Sequence, residues 1–425
     1  MVESELVGGE CSFWACMPSK ALLRPAEAVS EVRRVPGAAE AVAGDLDVAG
    51  VLARRDEVIH DLDDSIGVPW LEDRGIELVR AHGRLDGERR VAAGDDLLTA
   101  SEAVVVATGS APAIPPIDGL AEAKPWTNRE AVTARRAASR LAIIGGGVVG
   151  VEMAQAWQGL GSQTTVIEGG GRLLAREEPF AGQQVAASLE KLGVDVRLRA
   201  TVAKVTRHQE SVTVEFEDGS SVVAEEVLVA TGRRPRTRDI GLESVGLEPG
   251  EDIAVDDQMR ASGVRGAWLY AIGDANGRVQ LTHMGKYQAR AAADVIMGRE
   301  ARVISDGAVS PRVVFTDPQV AAVGHTLATA QEAGLNVRAV DTATSGNAGG
   351  SFYGRNAPGT SRILVDEDRG VLVGATFTGS EVADFLHAAT IAVVGEVPLD
   401  RLWHAIPSFP TRSEVWLHLM EGYGL

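Results

Sequence analysis

A chain of 425 residues with 45% hydrophobic content is long enough to bury about two or three cores, so a multidomain protein is expected. Its formal charge of -18 repels polyanions and leaves no basic block for nucleic acid, and no apolar run reaches the roughly 20 residues that span a bilayer. The 48 glycines favour an α/β architecture rich in tight turns, and the acidic stretch from Met1 to Glu10, where a secretory leader would be basic and then apolar, points to the cytoplasm.

Met1-Val2-Glu3 reads as the tail of a strand ending in an acid. Where such an acid holds an adenosine ribose, its glycine fingerprint lies about 20 residues upstream, which here is before Met1. Cys11 and Cys16 are the only cysteines. They are too few for a disulfide scaffold or a zinc site, and in a reducing compartment a lone close pair is more often catalytic than structural. The competing reading is two small buried hydrophobes. Pro18 suits the first turn of a helix beginning near Cys16, and a helix amino terminus stabilises a thiolate.

An internal echo divides the rest. Val104-Val105-Val106-Ala107-Thr108-Gly109 and Val227-Leu228-Val229-Ala230-Thr231-Gly232 are nearly the same buried strand, each closing on a Thr-Gly turn with a proline soon after, Pro112 and Pro235. Two copies of one α/β unit are implied. In the second copy a strand from Leu141 to Ile144 runs into Gly145, Gly147 and Gly150 of a G-x-G-x-x-G turn, then into a helix from Val151 to Leu160 and a strand from Thr164 to Ile167. That strand ends in Glu168, placed to accept hydrogen bonds from an adenosine ribose. A carboxylate there disfavours a 2′-phosphate, so NAD is expected over NADP, with Arg172 as the one opposing residue. Farther on, Ile363 to Val373 alternates as an antiparallel sheet does, and Val382 to Val394 suits a helix.

Gly8-Gly9-Glu10-Cys11-x4-Cys16-Met17-Pro18-Ser19-Lys20 resembles the redox-disulfide signature of the class I pyridine nucleotide-disulfide oxidoreductases. Both Ala-Thr-Gly turns, the fingerprint followed by Glu152, Tyr270-Ala271-Ile272-Gly273-Asp274, and Pro311 to Pro318 match that family in its order. The resemblance implies two Rossmann-like dinucleotide-binding domains, for FAD and NAD, and a carboxyl-terminal α+β dimerisation domain. It divides the chain into a residual FAD-binding domain at 1–110, an NAD-binding domain at 111–232, a return to the FAD domain at 233–304 and an interface domain at 305–425. FAD would be held by Glu3, Gly9, Lys20, Thr108, Gly109, Gly273 and Asp274, and NAD by Gly145, Gly147, Gly150, Glu168 and Gly232. Cys16 would face the flavin, Cys11 would exchange with substrate, and Lys20 would pair with Glu152 near the reactive flavin nitrogen. The family's first βα unit, which carries the FAD glycine fingerprint, has no counterpart here.

One departure concerns the chemistry itself. The family carries His-Pro-Thr-x-Ser-Glu near its carboxyl terminus, the histidine acting as acid/base for the partner subunit's exchange thiol and the glutamate orienting it; this chain reads Phe409-Pro410-Thr411-Arg412-Ser413-Glu414. Phenylalanine cannot move a proton, and a positioned base is typically worth about 10²- to 10⁴-fold. His404 is a candidate replacement, although a surface or packing role suits it better. The aromatic gate over the nicotinamide in some relatives corresponds to Val148, and the second cysteine pair of mercuric reductase and large thioredoxin reductase has no counterpart. The expected activity is therefore FAD-dependent transfer between NAD(P)H and a small disulfide by a homodimer of the lipoamide dehydrogenase type. Alternatives are a quinone or dye reductase that needs no dithiol exchange, and a non-enzymatic NAD-binding remnant.

Overall fold

The computed structural model describes residues 1–354 and 357–425. Two compact units are present, the first made of residues 1–17, 56–113 and 232–307, the second of 18–55, 114–231 and 308–425. Residues 18–55, placed by sequence with the first domain, cluster in the second unit. The reason is burial: Leu22, Leu23, Val51 and Leu52 share one core with Val151, Met153 and Trp157. Arg55, with no exposed surface, donates to the carbonyls of Val132 and Ala134, so a buried cation also ties this segment in.

The second unit holds a four-stranded parallel sheet in the order Glu226–Val229, Arg140–Ile144, Gln163–Glu168, Asp195–Leu198. The strands Arg140–Ile144 and Glu226–Val229 are buried along nearly their whole length, which is why they read as continuous apolar runs, while the edge strand Asp195–Leu198 is not. The helix Val148–Gly159 connects Arg140–Ile144 to Gln163–Glu168, the βαβ unit that the glycine fingerprint predicted, begun three residues earlier than expected because Gly147 is already its cap. A three-stranded antiparallel meander, Val202–Arg207, Val212–Phe216 and Ser221–Ala224, follows.

The carboxyl-terminal part of this unit is a five-stranded antiparallel sheet. The alternating stretch seen in sequence is the hairpin of Thr360–Asp366 with Val371–Gly379. The helix Val382–Val394 lies against that sheet and buries Val382, Leu386, Ala389 and Val393 at helical spacing in one core with Phe377. Glu152 and Gln155, buried on the fingerprint helix, accept the backbone N–H groups of Phe315 and Asp317 at 2.9 and 2.7 Å, fixing where this domain begins.

The first unit is leaner. Among the described residues Val104–Val106 pairs in parallel only with Leu269–Ala271, and Val105 at the middle of the former strand is 41% exposed. Val2 makes an isolated parallel bridge to Val79, with Glu3 donating its N–H to the Val79 carbonyl. The Thr-Gly turns of the internal echo each lead into one strand of a small ribbon, Ser110–Pro112 against Arg233–Pro235. Among the described residues no helix is long and apolar enough to cross a membrane.

Candidate active site

Cys11 sits in the short helix Gly9–Phe13 and Cys16 opens the helix Cys16–Arg34. Gly8 and Gly9 precede them with φ of +121° and +62°, left-handed turns that let the chain double back into the first helix. Both cysteines are thiols and both are partly exposed. Their side chains hydrogen-bond to one another, and the Cys16 Sγ lies 3.6 Å from Thr282 Oγ1. The Cys11 thiol is lowered from its usual range to about 6. The hydrogen bond from Cys16 is the largest cause; burial opposes it, and Thr282 and the charge of Lys286 add to it. An acidic thiol beside a second thiol, reachable from solvent, is the arrangement of a redox pair. The first proton to leave belongs to the pair as a whole.

Farther along the same unit, the Asp274 carboxylate accepts a hydrogen bond from the Ser110 hydroxyl. Arg233 donates from Nε to Ser110 Oγ at 2.7 Å and from Nη2 to its carbonyl at 2.8 Å, and reaches Glu10 at 3.5 Å. Arg236 continues the chain to Glu10 and Glu5. Gly109 and Gly232, with φ of +71° and +136°, have open space where a Cβ would stand, and Gly273 also takes a positive φ, +64°. Thr108 is exposed beside the first of these turns. Glu3 spends one carboxylate oxygen on the Glu5 N–H, 2.8 Å away. Sequence reasoning missed Ser110, Arg233, Thr282 and Lys286. The first two directly follow the Thr-Gly turns, and the last two are spaced i and i+4 on one helix, so a signal existed in position rather than in residue type.

In the second unit the three fingerprint glycines can be separated by what a side chain would meet. At Gly145, φ is +114° and a Cβ would stand 2.4 Å from the Ala230 carbonyl oxygen; at Gly150 it would stand 1.9 Å from the Gly145 carbonyl oxygen. At Gly147 nothing lies within 4 Å. Two glycines therefore serve backbone packing, while the third leaves a cradle open at a helix amino terminus, which is what a pyrophosphate requires. The residues present fit a dinucleotide here. Glu168 accepts the Gly146 N–H on one oxygen and the Gly170 N–H on the other, at 2.7 and 2.6 Å, so the carboxylate is fixed with lone pairs to spare. Arg172 donates to the carbonyls of Leu174, Ala175 and Glu177. Its guanidinium is thus a clip for its own loop.

Lys20 and Glu152 form an ion pair at 2.7 Å, the Glu152 side chain 4% exposed and the Lys20 ammonium also 4.6 Å from the centre of the Phe315 ring. Val148, the position of the aromatic gate, is partly exposed at the head of its helix. Near the carboxyl terminus Phe409 is 77% exposed and His404 is exposed as well, whereas Glu414 accepts the Gly349 N–H at 3.2 Å. With no histidine to orient, Glu414 holds a loop. Arg412 is buried, its guanidinium 4.5 Å from the Tyr353 ring centre and 5.3 Å from that of Phe385.

A parallel sheet with an open glycine cradle, a second α/β unit and an acidic dithiol together define a dinucleotide-dependent redox enzyme. Comparison with known families makes the class specific. Residues 1–289 match the family model described as pyridine nucleotide-disulphide oxidoreductase, and residues 310–420 match the dimerisation domain of the same family. The chain belongs to this family, whose class I members use FAD and NAD(P)H. It is 30% identical over 447 residues to a mercuric reductase of Acidithiobacillus ferrooxidans, covering 100% of this chain and 77% of that protein. It is also 31% identical to a dihydrolipoyl dehydrogenase of Thermus scotoductus, covering 99% of this chain and 91% of the relative. In fold it resembles the Cu(II) complex of the HOCl-induced flavoprotein disulfide reductase RclA from Escherichia coli, with a TM-score of 0.86 at 22% identity over 99% of this chain and 93% of the other.

Proposed function

We propose that this chain is an NADH-linked, FAD-dependent oxidoreductase that exchanges electrons with a small disulfide through Cys11 and Cys16, as a homodimer in the cytoplasm. The observation that carries the reading is the hydrogen-bonded thiol pair with one sulfur acidic near neutrality. FAD, when bound, accepts electrons from the reduced nicotinamide and passes two to the cysteine pair. For this chain's own residues, Asp274 with Ser110 offers acceptors to the ribityl hydroxyls, Lys20 is a fixed cation held by Glu152, and the Gly147 cradle takes the NAD pyrophosphate.

Dinucleotide choice follows from Glu168 and Arg172. A fixed carboxylate repels a 2′-phosphate, and the arginine that could have received it is engaged by three carbonyls. KM for NADH is expected to be at least about tenfold below that for NADPH. Equal values from steady-state kinetics would overturn the assignment.

The test of function is an absorbance spectrum of the purified protein before and after anaerobic NADH. A flavin band, reduction by four electrons per chain, a long-wavelength thiolate-to-flavin band, and arsenite block of turnover after reduction are expected. Uptake of two electrons with no effect of arsenite would instead support a quinone or dye reductase. The exposed phenyl ring of Phe409 in place of a base favours that second reading.

A further inference from the structure

The turn that carries Asp274 is held from behind by Gln288. The helix Thr282–Ile296 buries Met284, Gln288, Ala291 and Ala292 at helical spacing, and Gln288 is the polar side chain among them, with no exposed surface. Its Oε1 accepts the Gly273 N–H at 2.8 Å and an N–H of the Asn276 side-chain amide at 3.0 Å. Asn276, also buried, donates from the same nitrogen to the Ala271 carbonyl at 3.1 Å and accepts the Arg278 N–H at 3.0 Å. One glutamine oxygen therefore pins both ends of the short turn Gly273–Asn276, in which Asp274 is the second residue.

Resting on the reading that Asp274 accepts the ribityl hydroxyls of FAD, we propose that Gln288 is a positioning residue of the flavin site. Through Gly273 and Asn276 it fixes the turn, so that the Asp274 carboxylate is in place before the flavin binds and the cost of ordering the turn does not fall on binding. Two restraints meet on this turn. In front, Asp274 Oδ2 accepts from the Ser110 hydroxyl, and Arg233 Nε lies 4.0 Å from it. Behind, Gly273 takes φ +64°, and a Cβ on Gly285 would come 3.2 Å from the Gly273 Cα, so turn and helix meet backbone to backbone and hydrogen bonds set their register. A packing role alone is met better by an apolar side chain of the same volume. Gln288 Nε2 is buried with no partner among the described residues, and an unpaired buried polar group costs about 1–3 kcal/mol. The oxygen at the other end of the amide, with its two donors, is what distinguishes glutamine here.

Substitutions separate the oxygen from the rest of the side chain. Gln288→Met keeps length and volume and removes the oxygen, which leaves the Gly273 N–H and one Asn276 N–H without this acceptor and frees the turn to move. Gln288→Glu keeps an oxygen in the same place and removes Nε2, which donates to nothing among the described residues. Gln288→Asn keeps the amide and withdraws it by one methylene. Asp274→Ala removes the carboxylate through which Gln288 acts and leaves the two bonds of Gln288 in place.

The experiment is the release of FAD from the holoenzyme on dilution, followed as the rise of flavin fluorescence, in a double-mutant cycle of Gln288→Met with Asp274→Ala. Asp274→Ala alone is expected to release FAD at least about tenfold faster than wild type, Gln288→Met about five- to tenfold faster, and Gln288→Glu within about twofold of wild type. In the Asp274→Ala background, Gln288→Met is expected to add less than about twofold, because its route to the flavin is already gone. Gln288→Asn behaves as Gln288→Met and takes its place in the cycle if that variant does not fold. An equal effect of the Gln288 substitution in both backgrounds, no effect in the wild-type background, or a Gln288→Glu protein as fast as Gln288→Met reduces Gln288 to packing and overturns the inference, while fast release from Asp274→Ala still upholds the ribityl assignment. Release from Asp274→Ala at the wild-type rate removes that assignment and this inference together.

Discussion

Replacement of Cys11 by Ser is expected to lower NADH-driven reduction of a small disulfide by roughly 10³-fold or more, since a hydroxyl near neutral pH is a poor nucleophile and forms no disulfide; each tenfold is about 1.4 kcal/mol of barrier. Reduction of a one-electron dye such as ferricyanide should persist within a few-fold, because dinucleotide binding lies in other residues. The ratio of the two rates, from steady-state kinetics on one preparation, is the quantity to measure. A disulfide rate that survives the substitution would take the cysteines off the route and leave the quinone reading. The acidic thiol also sets a pH dependence of stability. Its folded value lies below its unfolded one, so the stabilisation is complete above the ordinary thiol range and is lost as pH falls through about 6.

Two alanine substitutions three residues apart in the fingerprint should fail in opposite ways. Gly150→Ala puts a methyl carbon 1.9 Å from the Gly145 carbonyl oxygen, backbone against backbone, with Ala230 a further 3.6 Å neighbour. Neither strand nor helix can retreat without breaking the parallel sheet, so a loss of about 3 kcal/mol or more is expected, seen as a lower Tm or as insoluble protein. Gly147→Ala meets nothing within 4 Å and has an ordinary φ of -79°. That variant should fold with unchanged Tm yet bind NADH at least about tenfold more weakly by calorimetric titration, because the methyl occupies the pyrophosphate's space. A Gly147→Ala protein with wild-type affinity would mean that the cradle holds nothing.

Sequence by itself determined the local chemistry. Runs of Val, Ile and Leu closing on glycine marked the inner parallel strands, the fingerprint marked the turn between Ile144 and the helix that follows it, and the stretch from Ile363 to Val373 marked the hairpin, although its strands are buried almost throughout rather than at every second residue. These features depend on periodicity and on glycine's freedom of φ, both properties of neighbouring residues. The cysteine spacing likewise marked Cys11 and Cys16 as a close pair before any coordinates did.

Only the tertiary structure decided what lies far apart in the chain. Residues 18–55 leave the domain that their position suggests because their leucines and valines complete a core around Trp157. Arg172, ambiguous as a letter, resolves into a loop clip once its three carbonyl partners are known. Thr282 stands 266 positions from the sulfur it touches. Hydrogen bonds and charge act through space over a few ångströms, and no periodicity in the sequence encodes which distant residue will come to lie within that range.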